Sequence, residues 1–255
     1  MKLDEVTISR AILSEQSRTL IEHLRLDAAV VGAGPSGLVC AALIAEGGWK
    51  VGVIEKKLSV GGGMWGGGMM FPRIVVQEEA RRLLERFSIA HTRFEEGYYV
   101  ASSVEAVAKL TSAAADAGAE FFNLVSVEDV VIKEEGRVSG LVVNWTPVEM
   151  TGLHVDPITI AASYTVDATG HDAVVARLVA RKGGEVSVRG EGFMWADRAE
   201  TNILQHTCEI FPGLFVTGMA ANAVAGESRM GPIFGGMLLS GERAAALVNV
   251  RLQQG

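Results

Sequence analysis

Three short stretches carry residues whose types and spacing could do chemistry. In the first, Gly32-x-Gly34-x-x-Gly37 stands between two apolar runs, residues 28–31 and 51–54, and the second run ends on Glu55. On a strand, turn, helix and parallel strand, Gly32 permits the tight turn, Gly34 lets backbone amides approach a pyrophosphate, and Gly37 lets the helix pack close to its strand. The helix N-terminus adds partial positive charge, and Glu55 is placed to accept hydrogen bonds from a ribose diol. Glycine supplies 30 of the 255 residues, so the glycine spacing alone decides little. Both flanking runs and the terminal acid are present, and together they predict an adenine dinucleotide site rather than a structural turn.

The second stretch gathers Asn144-Trp145-Thr146-Pro147, Leu153-His154-Val155-Asp156-Pro157 and Thr169-Gly170-His171-Asp172. An imidazole and a carboxylate with open positions suit Fe(II), so His171 and Asp156 are candidate metal ligands and His154 a third. These residues are not local to one another, and a histidine after a strand also serves as a hydrogen-bonded turn residue. The third stretch is Glu227-Ser228-Arg229-Met230-Gly231-Pro232, where Arg229 offers a rigid fork for a carboxylate or phosphate, or makes a surface salt bridge.

Such groups need a scaffold, and the hydrophobic pattern sketches one. Residues 8–25 space their apolar side chains as one helical face. Six glycines in the eight positions 61–68 exclude a regular helix or strand, while Met64, Trp65, Met69 and Met70 favour packing; the reading is a loop that wraps a ligand. Residues 76–87 read as a helix, 96–102 as a strand, 103–117 as a helix and 120–124 as a strand. Runs 127–133 and 137–145 form a hairpin across Glu134-Glu135-Gly136, 158–168 and 213–218 are strands, and 231–253 is a long terminal helix with Pro232 near its start. His23 reads as a surface residue and His91 as a solvated loop histidine. The expected fold is α/β: a Rossmann-like dinucleotide-binding fold of the FAD/NAD-linked, glutathione-reductase-like type with an inserted β-hairpin region.

Length and composition narrow the function. A chain of 255 residues, 49% apolar, buries the core of one domain, expected to run over 1–255 with an N-terminal helix and a long C-terminal helix. A separate nicotinamide domain needs a longer chain, so the chemistry is expected on the nucleotide fold itself. A formal charge of -7 with no basic stripe argues against a nucleic-acid partner. No apolar run reaches the ~18 residues of a membrane span, and the first ten residues lack a signal-peptide core, so the expectation is a cytoplasmic protein without a membrane partner. Cys40 and Cys208 make neither a disulfide framework nor a zinc site, and both read as buried thiols.

The ordered set VGAGPSGL, GGGMWGGG, NWT, HVDP, ATGHD and SRMGPIFGGMLLSG, spread over residues from about 30 to 241, resembles the thiazole synthase family of thiamine biosynthesis. The resemblance implies that NAD is a substrate rather than a redox carrier. Nicotinamide would be released, the ribose opened and condensed with glycine, and sulfur added to close an ADP-bound thiazole carboxylate. In the eukaryotic branch a cysteine just before the x-Asp-Pro motif gives up its sulfur in a single turnover. His154 stands at that position, so the resemblance is to the archaeal-type branch, a multiple-turnover catalyst using free sulfide and Fe(II). It implies Asp156 and His171 as iron ligands drawn from adjacent subunits, and Arg229 as the anchor of the glycine carboxylate. It also implies that Ser36, Glu55, Lys56, Gly63, Val127, His154, Val155 and Met219 contact the dinucleotide or its product, in a homo-octamer. His154 and Asp172 are both open as proton shuttles. Three other readings share parts of the pattern: an FAD-dependent oxidoreductase, a ribose-1,5-bisphosphate isomerase, and a nucleotide-binding sensor without turnover.

Overall fold

Residues 2–254 are described by a computed structural model. Asp4 caps α1 (Glu5–Glu22) by accepting from the Thr7 amide, and none of the helix's side chains is buried. Of the expected apolar face, Leu20 packs on the sheet, whereas Ile8, Ile12, Leu13 and Ile21 stay exposed. His23, at the helix end, is half-buried with its ring edge on Phe122 rather than on the surface.

The dinucleotide unit forms as its glycines require. β1 (Arg25–Val31) leads through the turn into α2 (Pro35–Glu46) and returns as β2 (Val51–Glu55), parallel to β1. Ala28 and Val30 of β1 face one core and Ala29 and Val31 the other, the period of two that buries both faces of a central strand. Gly32 sits at φ +98°, and a Cβ on it would come within 2.5 Å of the Ala168 carbonyl oxygen. A Cβ on Gly37 would lie 2.0 Å from the Gly32 carbonyl oxygen, so only glycine lets α2 rest on the turn.

The next glycine-rich stretch departs from the expected irregular loop. Residues Gly62–Gly66 close into one turn of 3-10 helix, pinned by the fully buried Met64 and by Trp65 Nε1 donating to the Val60 carbonyl. Beyond it, β3 (Arg73–Gln77), α3 (Glu78–Arg86), β4 (His91–Glu95) and β5 (Tyr98–Ser102) build a small antiparallel sheet in the order β3-β5-β4. His91 therefore opens a strand instead of lying in a loop. The helix α4 (Ser103–Asp116), capped by Ser102, leads to β6 (Glu120–Asn123), which adds parallel to β2.

The hairpin of β7 (Val125–Ile132) and β8 (Val138–Trp145) is followed by α5 (Thr146–Thr151) and β9 (Ile158–Asp167). A 3-10 turn at Gly170–Asp172 then precedes α6 (Val174–Arg181), α7 (Ala196–His206), β10 (Glu209–Phe211), β11 (Leu214–Val216), α8 (Met219–Ala225) and α9 (Gly235–Gln254). The parallel strands run β6-β2-β1-β9-β11, with β10 antiparallel at the edge. β9 changes partner along its length: residues 158–161 pair antiparallel with β8, and Thr165 to Asp167 pair parallel with β11. The hairpin thus extends the sheet edge that β11 occupies further along.

One core lies between the sheet and α2, α4 and α9; the second lies under the hairpin and α6. α9 starts at Gly235, later than expected, because Gly231 takes φ +73° and Phe234 N donates to the Val75 carbonyl, which holds the segment extended against β3. Cys40 is fully buried; Cys208 is half-buried rather than buried. No helix is long and apolar enough to cross a membrane among the described residues.

Candidate functional site

A cavity of about 690 Å³ opens over the carboxyl ends of β1, β2 and β9, at the point where the chain leaves the sheet in opposite directions. Of the residues singled out from sequence, Gly32, Gly34, Ser36, Glu55, Lys56, Gly63, Val127, His171, Met219 and Arg229 line it. Gly37 does not; it acts beneath the turn, as the overlap with Gly32 requires. Gly34 caps α2 with ordinary backbone angles, and a Cβ on it or on Gly63 would meet no atom within 4 Å. Across the cavity Gly62 approaches so closely that its Cβ would lie 3.1 Å from the Gly34 Cα. The two glycine-rich turns therefore meet backbone to backbone and leave their amides free of side-chain cover.

Glu55 ends β2 with 6% of its surface exposed. Its Oε2 accepts from the Ala33 amide at 2.9 Å and its Oε1 from the Lys57 amide at 2.8 Å, which ties the phosphate turn to the strand end. Each oxygen retains a lone pair for a diol. Lys56 Nζ lies 3.4 Å from Asp172 Oδ2. Both side chains are more than half exposed, so the contact is weak and the ammonium is available to an anionic ligand. Ser36 packs under Gly218, whose amide donates to Ser240 Oγ of α9; this bond fixes the start of α8 and with it Met219.

Asp167, fully buried at the end of β9, organises the histidine turn. It accepts from Thr169 N, Thr169 Oγ1 and Ala176 N at 3.0, 2.6 and 2.9 Å, and burial still pushes its carboxyl above the usual range against those bonds. The turn presents His171, whose Nδ1 lies 2.6 Å from Glu191 Oε1. Arg229 reaches the same carboxylate from the other side, Nε to Oε2 at 3.5 Å. Next to Arg229, burial pushes Glu227 up, but donors from Ser228 N, Asn202 and Arg198 outweigh it and hold the group at about 2. That anion anchors the loop carrying Arg229, and Arg229 N donates to the Phe193 carbonyl.

The Asn-Trp-Thr motif has a positioning role that its sequence did not reveal. Asn144 Nδ2 donates to the Val155 carbonyl at 3.0 Å, and Thr146 Oγ1 donates to the Lys56 carbonyl at 2.8 Å. His154, Val155 and Asp156 lie in this tethered coil, exposed, and do not line the cavity. Among the described residues no three His, Cys, Asp or Glu side chains gather as a metal site. A single chain therefore brings His171 and Arg229 to the cavity and leaves Asp156 and His154 outside its wall. Glu191, between them, was missed: no motif or periodicity marks it. Neither cysteine lines the cavity, and burial raises both thiols, so the wall offers no thiolate.

A glycine turn at a helix N-terminus, an acid at the end of the second strand and a long cavity at the switch point define a nucleotide-binding α/β protein of the dinucleotide class. A profile of the Thi4 family matches residues 9–234, and the chain belongs to that family. It is 75% identical to a thiamine thiazole synthase of Methanoculleus marisnigri over 252 residues, 99% of each chain. Identity is 56% to the enzyme of the same name from Pyrococcus abyssi, over 95% of this chain and 96% of that one. The crystal structure of Thermovibrio ammonificans THI4 superposes with a TM-score of 0.97 at 48% identity, covering both chains completely. A geranylgeranyl bacteriochlorophyll reductase-like protein of Thermoplasma acidophilum, at TM-score 0.60 and 16% identity over 90% of this chain and 79% of that one, shares the fold alone.

Proposed function

We propose that the chain is a thiamine thiazole synthase that converts NAD, glycine and sulfide into an ADP-bound thiazole carboxylate with release of nicotinamide. The observation that carries this reading is the order of groups along one cavity: bare glycine amides and Glu55 at one side, His171 and Arg229 at the other, and no cysteine on the wall. The amides and Glu55 hold the adenosine diphosphate half, so the second ribose reaches His171 and Arg229, and positioning removes much of the entropic barrier to condensation. Arg229 takes the glycine carboxylate in its fork. His154 in place of a sulfur-donating cysteine makes the enzyme multiple-turnover on free sulfide.

The donors fit Fe(II). An imidazole nitrogen and a carboxylate oxygen suit that ion, and with Nδ1 of His171 facing Glu191, Nε2 is the ligating atom. Asp156, exposed in one chain, would come from a second copy, consistent with the exposed Met150 and Leu153 near it and with a homo-octamer. The metal would supply open positions where sulfide and substrate meet.

Anaerobic incubation with NAD, glycine, sulfide and Fe(II), followed by mass spectrometry, tests the reading. Adenylated thiazole and free nicotinamide are expected over many turnovers. Bound FAD released from the purified protein, or nicotinamide-free NAD turnover, would overturn it. Asp156→Ala should abolish product while leaving the fold intact; product at the wild-type rate would remove Asp156 from the metal site.

A further inference from the structure

We propose that Glu191 is a positioning residue that fixes the His171 imidazole and the Arg229 guanidinium relative to each other. The names of the bound groups rest on the thiazole synthase reading; the geometry does not.

Glu191 lies in the coil between α6 and α7, and its backbone is stapled on both sides. Gly190 N donates to the Ala223 carbonyl at 2.9 Å and Gly192 N to the Glu227 carbonyl at 2.8 Å. The side chain is 11% exposed, whereas those of His171 and Arg229 are 57% and 54% exposed. One buried, anchored carboxylate thus holds two exposed groups that would otherwise sample many rotamers. A carboxylate only accepts, so the 2.6 Å contact puts a proton on His171 Nδ1 and leaves the Nε2 lone pair for a ligand. Free neutral imidazole side chains favour the opposite tautomer. The second oxygen faces Nε of Arg229, the inner nitrogen, so the outer edge of the guanidinium stays open to a bidentate carboxylate. Metal ligand and carboxylate anchor are therefore set by a single residue. Loss of such an outer partner typically costs about 10- to 100-fold in metal affinity.

The test uses the whole chain, with Glu191→Ala and the near-isosteric Glu191→Gln. Nitrogen-15 spectra of the histidine ring in metal-free protein, without any substrate, should show His171 as the Nδ1–H tautomer in the wild type and a shift toward Nε2–H in Glu191→Ala. Anaerobic equilibrium dialysis with Fe(II) alone should show affinity falling about 10- to 100-fold. In steady state the KM for glycine should rise while the KM for NAD holds. Glutamine has one acceptor for two donors, so Glu191→Gln should restore the tautomer or the glycine KM, and not both. An unchanged tautomer in Glu191→Ala, or full recovery of both readouts by glutamine, would overturn the assignment. A wild-type protein that makes no thiazole would sink the function instead, because the tautomer experiment uses neither metal nor substrate.

Discussion

Gly34 and Gly37 lie three residues apart in one motif, yet alanine should act at the two positions through different physics. Gly34 has φ -76° and ψ -178°, angles that any residue adopts, and a Cβ there meets nothing within 4 Å. Replacing glycine lowers the entropy of the unfolded chain by about 0.4–1 kcal/mol of stability, and alanine is the poorer N-cap by a comparable amount. The net change should stay within about 1 kcal/mol, a melting shift of at most ~4 °C for a chain of this size. The added methyl projects into the cavity where amides must touch a pyrophosphate. Losing one charge-assisted hydrogen bond costs about 1.5–3 kcal/mol, or about 10- to 100-fold in the Kd for NAD. Gly37→Ala instead drives a methyl to 2.0 Å from a backbone oxygen that cannot rotate away. Overpacking of this kind costs about 3 kcal/mol, lowering the melting temperature by about 6–12 °C. Calorimetric titration of NAD and thermal unfolding read the two effects separately. Wild-type NAD affinity in Gly34→Ala would refute the placement of the pyrophosphate on this turn, whatever happens to Gly37→Ala.

Two further outcomes follow from named groups. Burial raises Glu200, which accepts from Gly236 N at the start of α9, to about 7. Its folded value exceeds its unfolded one, so the native state binds the extra proton, and this contribution is full below about 4.5 and lost as pH rises through about 7. The stability difference between wild type and Glu200→Gln, measured by urea unfolding from pH 4.5 to 8, should fall by up to about 3 kcal/mol; a flat difference would refute the burial argument. His154→Cys places a thiol where the self-consuming relatives carry theirs, so incubation with NAD and glycine without sulfide should yield one turnover and a protein lighter by one sulfur atom. An unchanged protein mass would show that this coil does not reach the reaction centre.

The dinucleotide unit was legible because each glycine solves a local backbone problem that sequence spacing records. The hairpin and the strands after it were equally visible through short alternating or continuous apolar runs. What escaped depends on distant partners. β4, His-Thr-Arg-Phe-Glu, has no apolar alternation and owes its strand form to pairing with β5. α7 buries only Ala199 and Ile203, too few to set a period. Glu191 sits in a glycine-bounded coil, and its worth comes from His171 and Arg229, brought to it by separate turns. The candidate metal ligands were named through family resemblance; their spacing carries no local signal, and one chain does not bring them together.

Gly241 on α9 abuts the Ser36 carbonyl of α2, where a Cβ would lie only 2.4 Å away, and Ser240 beside it holds the Gly218 amide. In the order of synthesis, the phosphate turn at the head of α2 leaves the ribosome first and the helix that braces it leaves last. Until α9 docks, the turn exists without Met237, one wall of its cavity, and without the bond that fixes Met219. A nascent chain, or one clipped ahead of α9, therefore carries the nucleotide signature without a place to hold a nucleotide.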